Sequence, residues 1–226
     1  PGSISFDPIS FLGLGIVEDF IEIADIDADG KADIVSRPYG STSIRVFHNT
    51  SSSTGNISFA AAQTFTVATG GKGFRLGDLD GDGKTDVLST GNSGVLSVLR
   101  NTSSSGTVSF DSYYSINTST GNIADAAMGD LDGDGIVDIA FNNDGEYTMY
   151  VIKNNSSPGS LNFSAAAALN DNTHNLAQYT SEVQIQDIDG DGRNDIASLS
   201  TYTNGINFFT NTPPPCQCAG LVLMRM

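Results

Sequence analysis

The sequence predicts an all-β chain built from four similar four-stranded units, on the strength of three observations. An acidic string recurs four times, apolar residues fall at every second position in the stretches around each copy, and Gly, Ser, Thr and Asn punctuate what lies between. The strings are "ADIDADGKAD", "GDLDGDGKTD", "GDLDGDGIVD" and "QDIDGDGRND", with first aspartates at Asp25, Asp78, Asp130 and Asp187, spaced by 53, 52 and 57 residues. A period of this length points to propeller blades or solenoid coils. A chain of 226 residues suits one domain or two small ones and is long enough to bury a core.

Each unit reads as strands A to D. Strand A precedes the acidic string ("FIEIADI", "FRLGDL", "AAMGDL", "VQIQDI"), and strand B follows it ("DIVS", "DVLST", "DIAFN", "DIASLS"). Strand C comes about ten residues later, in "SIRVFHNT", "LSVLRNT", "MYVIKNN" and "INFFTNT". Strand D opens with "TGNISF", "SGTVSF" and "PGSLNF", and the Ala-rich "AAAQ" and "SAAAALN" fall in its place as irregular outer strands. No helical stripe is sustained beyond about ten residues. The chain begins with "PGSISF", which matches strand D, and its last unit ends on "GINFFTNT", which matches strand C. In a closed ring the N-terminal strand would complete the last blade and remove an open edge. Residues 1–212 are thus repeat; 213–226, "PPPCQCAGLVLMRM", read as a proline linker and a disordered tail. The lone Cys216-x-Cys218 lacks the further ligands of a structural zinc site. The start at Pro1 without a leader is expected of a mature protein or an excised fragment.

The formal net charge of −16 is concentrated: sixteen of the 26 acidic residues sit in the four strings. Four divalent cations would halve that charge, to a value ordinary for a soluble protein. Ten scattered Lys and Arg form no basic stripe, so nucleic acid is not an expected partner, and no apolar run is long enough for a membrane span.

In D-x-D-x-D-G-x-x-D, positions 1, 3 and 5 turn carboxylates toward one centre. Position 6 is glycine in all four copies (Gly30, Gly83, Gly135, Gly192), so position 7 can offer its carbonyl whatever its side chain, and position 9 returns a fourth carboxylate. Position 2 is Ile or Leu, pointing to the core, and position 4 is Ala or Gly, where bulk would crowd the loop. Hard oxygen donors without His or Cys select calcium or magnesium, and a flexible multi-carboxylate ring favours calcium. Without a cation, carboxylates about 4 Å apart repel by roughly 1 to 4 kcal/mol per pair. An EF-hand is excluded, because its Glu at position 12 is replaced by Ser36, Ser89, Phe141 and Ser198 and both flanks read as strands.

These strings, each after an apolar strand, resemble the FG-GAP/VCBS repeats of integrin-α-type β-propellers. The resemblance implies one calcium ion in the A–B loop of each blade, about four in all. It assigns Asp25, Asp27, Asp29, Lys31 (carbonyl) and Asp33 to the first site, and Asp78, Asp80, Asp82, Lys84 (carbonyl) and Asp86 to the second. The third is Asp130, Asp132, Asp134, Ile136 (carbonyl) and Asp138; the fourth is Asp187, Asp189, Asp191, Arg193 (carbonyl) and Asp195. The family's Gly-Ala-Pro element is absent, and such propellers commonly have about seven blades. Four visible blades leave open a four-bladed ring, a fragment of a larger ring, or half of an eight-bladed ring made by a homodimer.

Structural calcium moves function elsewhere. Alternating strand direction puts the acidic loops and C–D loops on one face and the B–C and D–A loops on the other, the face that carries ligands in propellers by analogy. There Tyr39, Asp144, Tyr147, His174, Tyr179 and Tyr202 offer aromatic faces beside polar groups, which suit a sugar. The expected function is a secreted or cell-surface adhesion module binding a glycan or an extracellular protein. The alternatives are a scaffold fragment of a larger extracellular protein and, behind it, a polysaccharide-degrading enzyme. No catalysis is expected, because the two histidines, His48 and His174, join no nucleophile–base pair. His48 reads as a solvated turn residue. Sequons at Asn49, Asn101 and Asn155 are weak signals in Ser- and Asn-rich loops, and an extracellular location rests better on loops that fill at millimolar calcium.

Overall fold

The computed structural model describes residues 4, 11–38, 40–53, 55–68, 70–71, 73–143, 148–169, 180–200 and 205–212. Alternating apolar residues give fifteen strands in four antiparallel sheets. Sheet 1 holds β1 (Glu18–Ala24), β2 (Asp33–Pro38), β3 (Ser43–Phe47) and β4 (Gln63–Thr66). Sheet 2 holds β5 (Phe74–Gly77), β6 (Asp86–Thr90), β7 (Val95–Leu99) and β8 (Tyr114–Asn117). Sheet 3 holds β9 (Ile123–Gly129), β10 (Asp138–Asn143), β11 (Met149–Ile152) and β12 (Ala167–Leu169). Sheet 4 holds β13 (Thr180–Gln186), β14 (Asp195–Ser200) and β15 (Gly205–Phe209). Among the described residues there is no α-helix, only a 3-10 turn at Asn92–Gly94.

Within each sheet the strands pair in chain order, so every connection is a hairpin. The segments read as the start of strand D instead extend the preceding hairpin through isolated bridges, Asn49↔Phe59, Asn101↔Phe110 and Asn154↔Phe163. The fourth strand begins a few residues later. Of the Ala-rich segments, "SAAAALN" supplies the outer strand β12, whereas Ala60, Ala61 and Ala62 precede β4, which takes only Gln63 of "AAAQ". Closure of the last sheet by the N-terminal strand lies outside the described residues.

The sheets pack face to face in series through their first strands, β1 on β5, β5 on β9 and β9 on β13. Three apolar cores fill the gaps. Ile26, Val35, Ile44 and Val46 meet Phe74 and Val87 between sheets 1 and 2. Leu79, Leu88, Leu96 and Val98 meet Ala126, Ile139 and Phe141 between sheets 2 and 3, and Ala127, Ala140 and Met149 meet Val183 and Ile196 between sheets 3 and 4. Among the described residues no such core joins sheet 4 to sheet 1, and the four sheets follow one another in chain order.

Polar ties cross the gaps where the first strands meet. Glu22 Oε2 accepts from Leu76 N at 3.1 Å; Arg75 Nη2 donates to both oxygens of Asp125 at 2.9 Å, and Val183 N donates to Asp125 Oδ2 at 2.9 Å. Burial raises the carboxyls of Glu22 and Asp125 above their usual range, against the pull of Arg75. Buried Arg37 of sheet 1 donates to Gly73 O, Ser89 Oγ and Thr90 O of sheet 2 at 2.8 to 2.9 Å. Desolvation lowers its guanidinium to about 10, which leaves it charged at neutral pH.

Candidate metal centres

Each acidic loop joins the first strand of a sheet to the second, and backbone amides explain how it holds four carboxylates. Position 1 accepts from the loop's own turn: Asp78 Oδ1 from Gly81 N at 2.8 Å and Oδ2 from Gly83 N at 2.8 Å, with the same pattern at Asp130 and Asp187, while Asp25 Oδ1 accepts from Asp29 N at 3.1 Å and Oδ2 from Gly30 N at 2.9 Å. Position 3 accepts from the amide of position 5, as Asp80 does from Asp82 N at 3.1 Å. Position 5 accepts from the amide of position 7: Asp29 from Lys31, Asp82 from Lys84, Asp134 from Ile136 and Asp191 from Arg193, all at 2.8 to 2.9 Å. Charge-assisted bonds of this kind are about twice as strong as neutral ones.

Position 9 reaches in two directions. One oxygen accepts from the amide of position 2, and the other from the amide of an asparagine at the end of the third strand. For Asp86 the donors are Leu79 N at 2.8 Å and Asn101 N at 2.7 Å. Asp33, Asp138 and Asp195 repeat this with Asn49, Asn154 and Asn211 at 2.7 to 2.8 Å. All four position-9 carboxylates are buried. Burial pushes Asp86 up to about 6 and also raises Asp33 and Asp138, whereas the amides of Asn211 and Ile188 hold Asp195 low.

At every loop, positions 1, 3 and 9 bring one oxygen each within 4.8 Å of one another: Asp25, Asp27 and Asp33; Asp78, Asp80 and Asp86; Asp130, Asp132 and Asp138; Asp187, Asp189 and Asp195. The donor set, three carboxylates at each loop, fits a hard divalent cation. Position 5 stands outside these triads; Asp29 instead groups with Asp27 and His48.

The left-handed backbone, not crowding, explains the small residues at positions 4 and 6. Gly81 and Gly83 have φ of 74° and 85°, and a Cβ on either would meet nothing within 4 Å. Ala28 occupies position 4 at φ 58°, so the site tolerates a methyl at the strain of a left-handed L-residue.

Two repeated partners were missed in the sequence. The first is the asparagine in "HNT", "RNT", "KNN" and "TNT", whose constancy across four units was the available signal. Its side chain crosses to the preceding sheet: Asn101 Nδ2 donates to Ile26 O at 2.8 Å, Asn154 Nδ2 to Leu79 O at 2.7 Å and Asn211 Nδ2 to Leu131 O at 2.6 Å. Asn101 is buried in that role, which removes its sequon as an acceptor. The second is the residue before it. His48, expected in solvent, is half-buried with Nε2 3.1 Å from Asp27 Oδ2, because the third strand ends against the loop. Arg100 lies 3.7 Å from Asp80, and Lys153 pairs with Asp132 and Asp134.

The following sheet also covers the loop. Gly159 N, in the hairpin after β11, donates to Asp80 Oδ2 at 2.8 Å, and position-3 Asp27 and Asp80 are buried while Asp132 and Asp189 are exposed. The proposed ligand residues Tyr39, Asp144, Tyr147, His174, Tyr179 and Tyr202 all lie outside the described residues. Tyr113 and Tyr114, not singled out in the sequence, stand partly exposed in a shallow cleft with Arg100 and Asp111.

Sheets in series with one acidic, amide-pinned loop apiece define an all-β repeat protein with four candidate cation sites. A family model described as "FG-GAP-like repeat" matches residues 25–89, 78–141 and 130–198, and the chain belongs to that family. None of the curated proteins matches the chain. Membership is consistent with an extracellular adhesion-type or scaffold module, and no described helix is long and apolar enough to cross a membrane.

Proposed function

We propose that this chain is a calcium-stabilised, propeller-type module of a secreted or cell-surface protein, acting in adhesion by binding a glycan or a protein ligand and without catalytic activity. The observation that carries the reading is the carboxylate triad repeated at the same place in all four units. Bound calcium would supply the positive charge that cancels the repulsion among these carboxylates. The chain's own contribution is to fix positions 1, 3 and 9 with amide donors, so that little ordering is left for binding to impose. Extracellular calcium near the millimolar range suits sites of this kind. Fourfold repetition also speaks against a catalytic carboxylate pair, which would be singular.

Adhesion is tested on a glycan array probed with calcium and again with chelator. Calcium-dependent binding to a defined glycan class supports the lectin-like form of the reading. No glycan binding in either condition leaves a protein ligand, assayed by pull-down from extracellular matrix, and failure of both removes adhesion. A scaffold role is the second reading, favoured by the exposed apolar residues on the end sheets. Turnover of a polysaccharide would contradict the non-catalytic assignment.

A further inference from the structure

The three internal sheet-to-sheet interfaces share one pattern, and the two ends of the series carry its unused halves. The face toward the following sheet is made by position 2 of the acidic loop and by alternate residues of the second and third strands. In sheet 1 these include Ile26, Ile44 and Val46, all at most 2% exposed. The same positions in sheet 4 are Ile188, Ile206 and Phe208, at 49%, 58% and 58%. The face toward the preceding sheet uses the residues four and two before the first aspartate. Phe74, Ala126 and Val183 are buried there and Leu76, Met128 and Ile185 pack on the cores, but their counterparts Ile21 and Ile23 in sheet 1 are 61% and 64% exposed.

The hydrogen bonds follow the same rule. Asn101, Asn154 and Asn211 each donate to the position-2 carbonyl of the preceding sheet and to a carbonyl of their own sheet. Among the described residues, Asn49 makes the second bond alone of these two, to Ala32 O at 2.8 Å, and no asparagine reaches the Ile188 carbonyl. The apolar residues and the polar partners are thus missing together, in complementary halves, at the two ends.

We propose that the exposed face of sheet 4 docks the exposed face of sheet 1 from a second copy of this chain, head to tail. Ile21 and Ile23 of the incoming copy would cover Ile206 and Phe208, and its Asn49 would donate to the Ile188 carbonyl. A second copy is favoured over an unrelated partner because one surface must supply both the apolar residues and the asparagine in the register already used three times within the chain. The interface is heterologous, so it closes into a ring if the rotation permits and otherwise extends. The same contact would lay the first-sheet hairpin of one copy over the exposed fourth acidic loop of the other, as Gly159 lies over Asp80.

The test is sedimentation equilibrium in calcium on the whole chain and on two variants, Ile21→Glu and Phe208→Glu, whose sites are exposed in the single chain. The wild type is expected at multiples of 23.6 kDa and each variant at the single-chain mass. An equimolar mixture of the two is expected to return a dimer, because one variant keeps a working head and the other a working tail. Wild-type chain that stays monomeric across the dilution series overturns the proposal. So does a variant that still assembles, or a mixture that stays monomeric. None of these outcomes depends on whether a glycan binds.

Discussion

Replacing Asn154 with Ala would isolate the tie between adjacent sheets. The side chain is fully buried; its Nδ2 donates to Leu79 O of sheet 2 at 2.7 Å and to Val137 O at 2.8 Å, while its Oδ1 accepts from Ser156 N at 2.9 Å. Alanine leaves two carbonyls and one amide without that partner, at about 1 kcal/mol each and more where water cannot enter, so the loss is about 3 to 5 kcal/mol. Asn49 is the internal control. It keeps the bond to Ala32 O and the one from Ser51 N, both open to water that can replace the lost partner, but has no cross-sheet contact among the described residues, so Asn49→Ala should cost about 1 kcal/mol. The chain has no Trp, so urea unfolding is followed by far-ultraviolet circular dichroism, comparing midpoints at equal slopes. Equal shifts for the two variants would refute the cross-sheet role of this asparagine. A changed slope would show instead that sheets unfold separately, as weakly coupled repeats do.

Other outcomes follow from the close approaches and the buried acids. A Cβ on Gly129 would lie 2.4 Å from Ile185 Cγ2 of sheet 4, whereas one on Gly77 would lie 2.9 Å from the flexible Met128 Cε. Gly129→Ala should therefore cost about 1 to 3 kcal/mol and Gly77→Ala much less, measured by the same unfolding assay. In calcium-free protein, Asp86 titrates near 6 when folded and near the ordinary value of about 3.9 when unfolded. The folded state then binds the extra proton, so this contribution is present below about pH 4 and is lost as the pH rises toward 6, by about 3 kcal/mol. Asp33 and Asp138 add in the same direction and Asp195 opposes them. Melting temperature should fall across that window in chelator, and Asp86→Asn should flatten the slope; a flat profile in the parent chain would contradict the burial account.

The acidic loops and the strands beside them were legible because each rests on local rules. The second strands read as short apolar runs because both faces of β6 and β10 are buried, Val87 and Leu88 in the cores on either side of sheet 2 and Ile139 and Ala140 in those on either side of sheet 3, and the glycine at position 6 marks a left-handed turn. The later start of the fourth strand was hidden, because "TGNISF" and its counterparts alternate as a strand does but are spent on bridges that lengthen the hairpin. The asparagine ties were hidden for another reason: Asn101 and Ile26 are 75 residues apart, and only stacking of sheets brings them together. His48 was misread likewise, since its approach to Asp27 depends on where the third strand ends rather than on any neighbour in sequence.

Calcium titrated calorimetrically into the chelator-stripped chain shows whether each repeat carries a built cation site. About four equivalents are expected, with Asp80→Ala removing one of them and leaving the rest. Absence of binding at millimolar calcium, or a stoichiometry that Asp80→Ala leaves unchanged, would contradict such a site in each repeat.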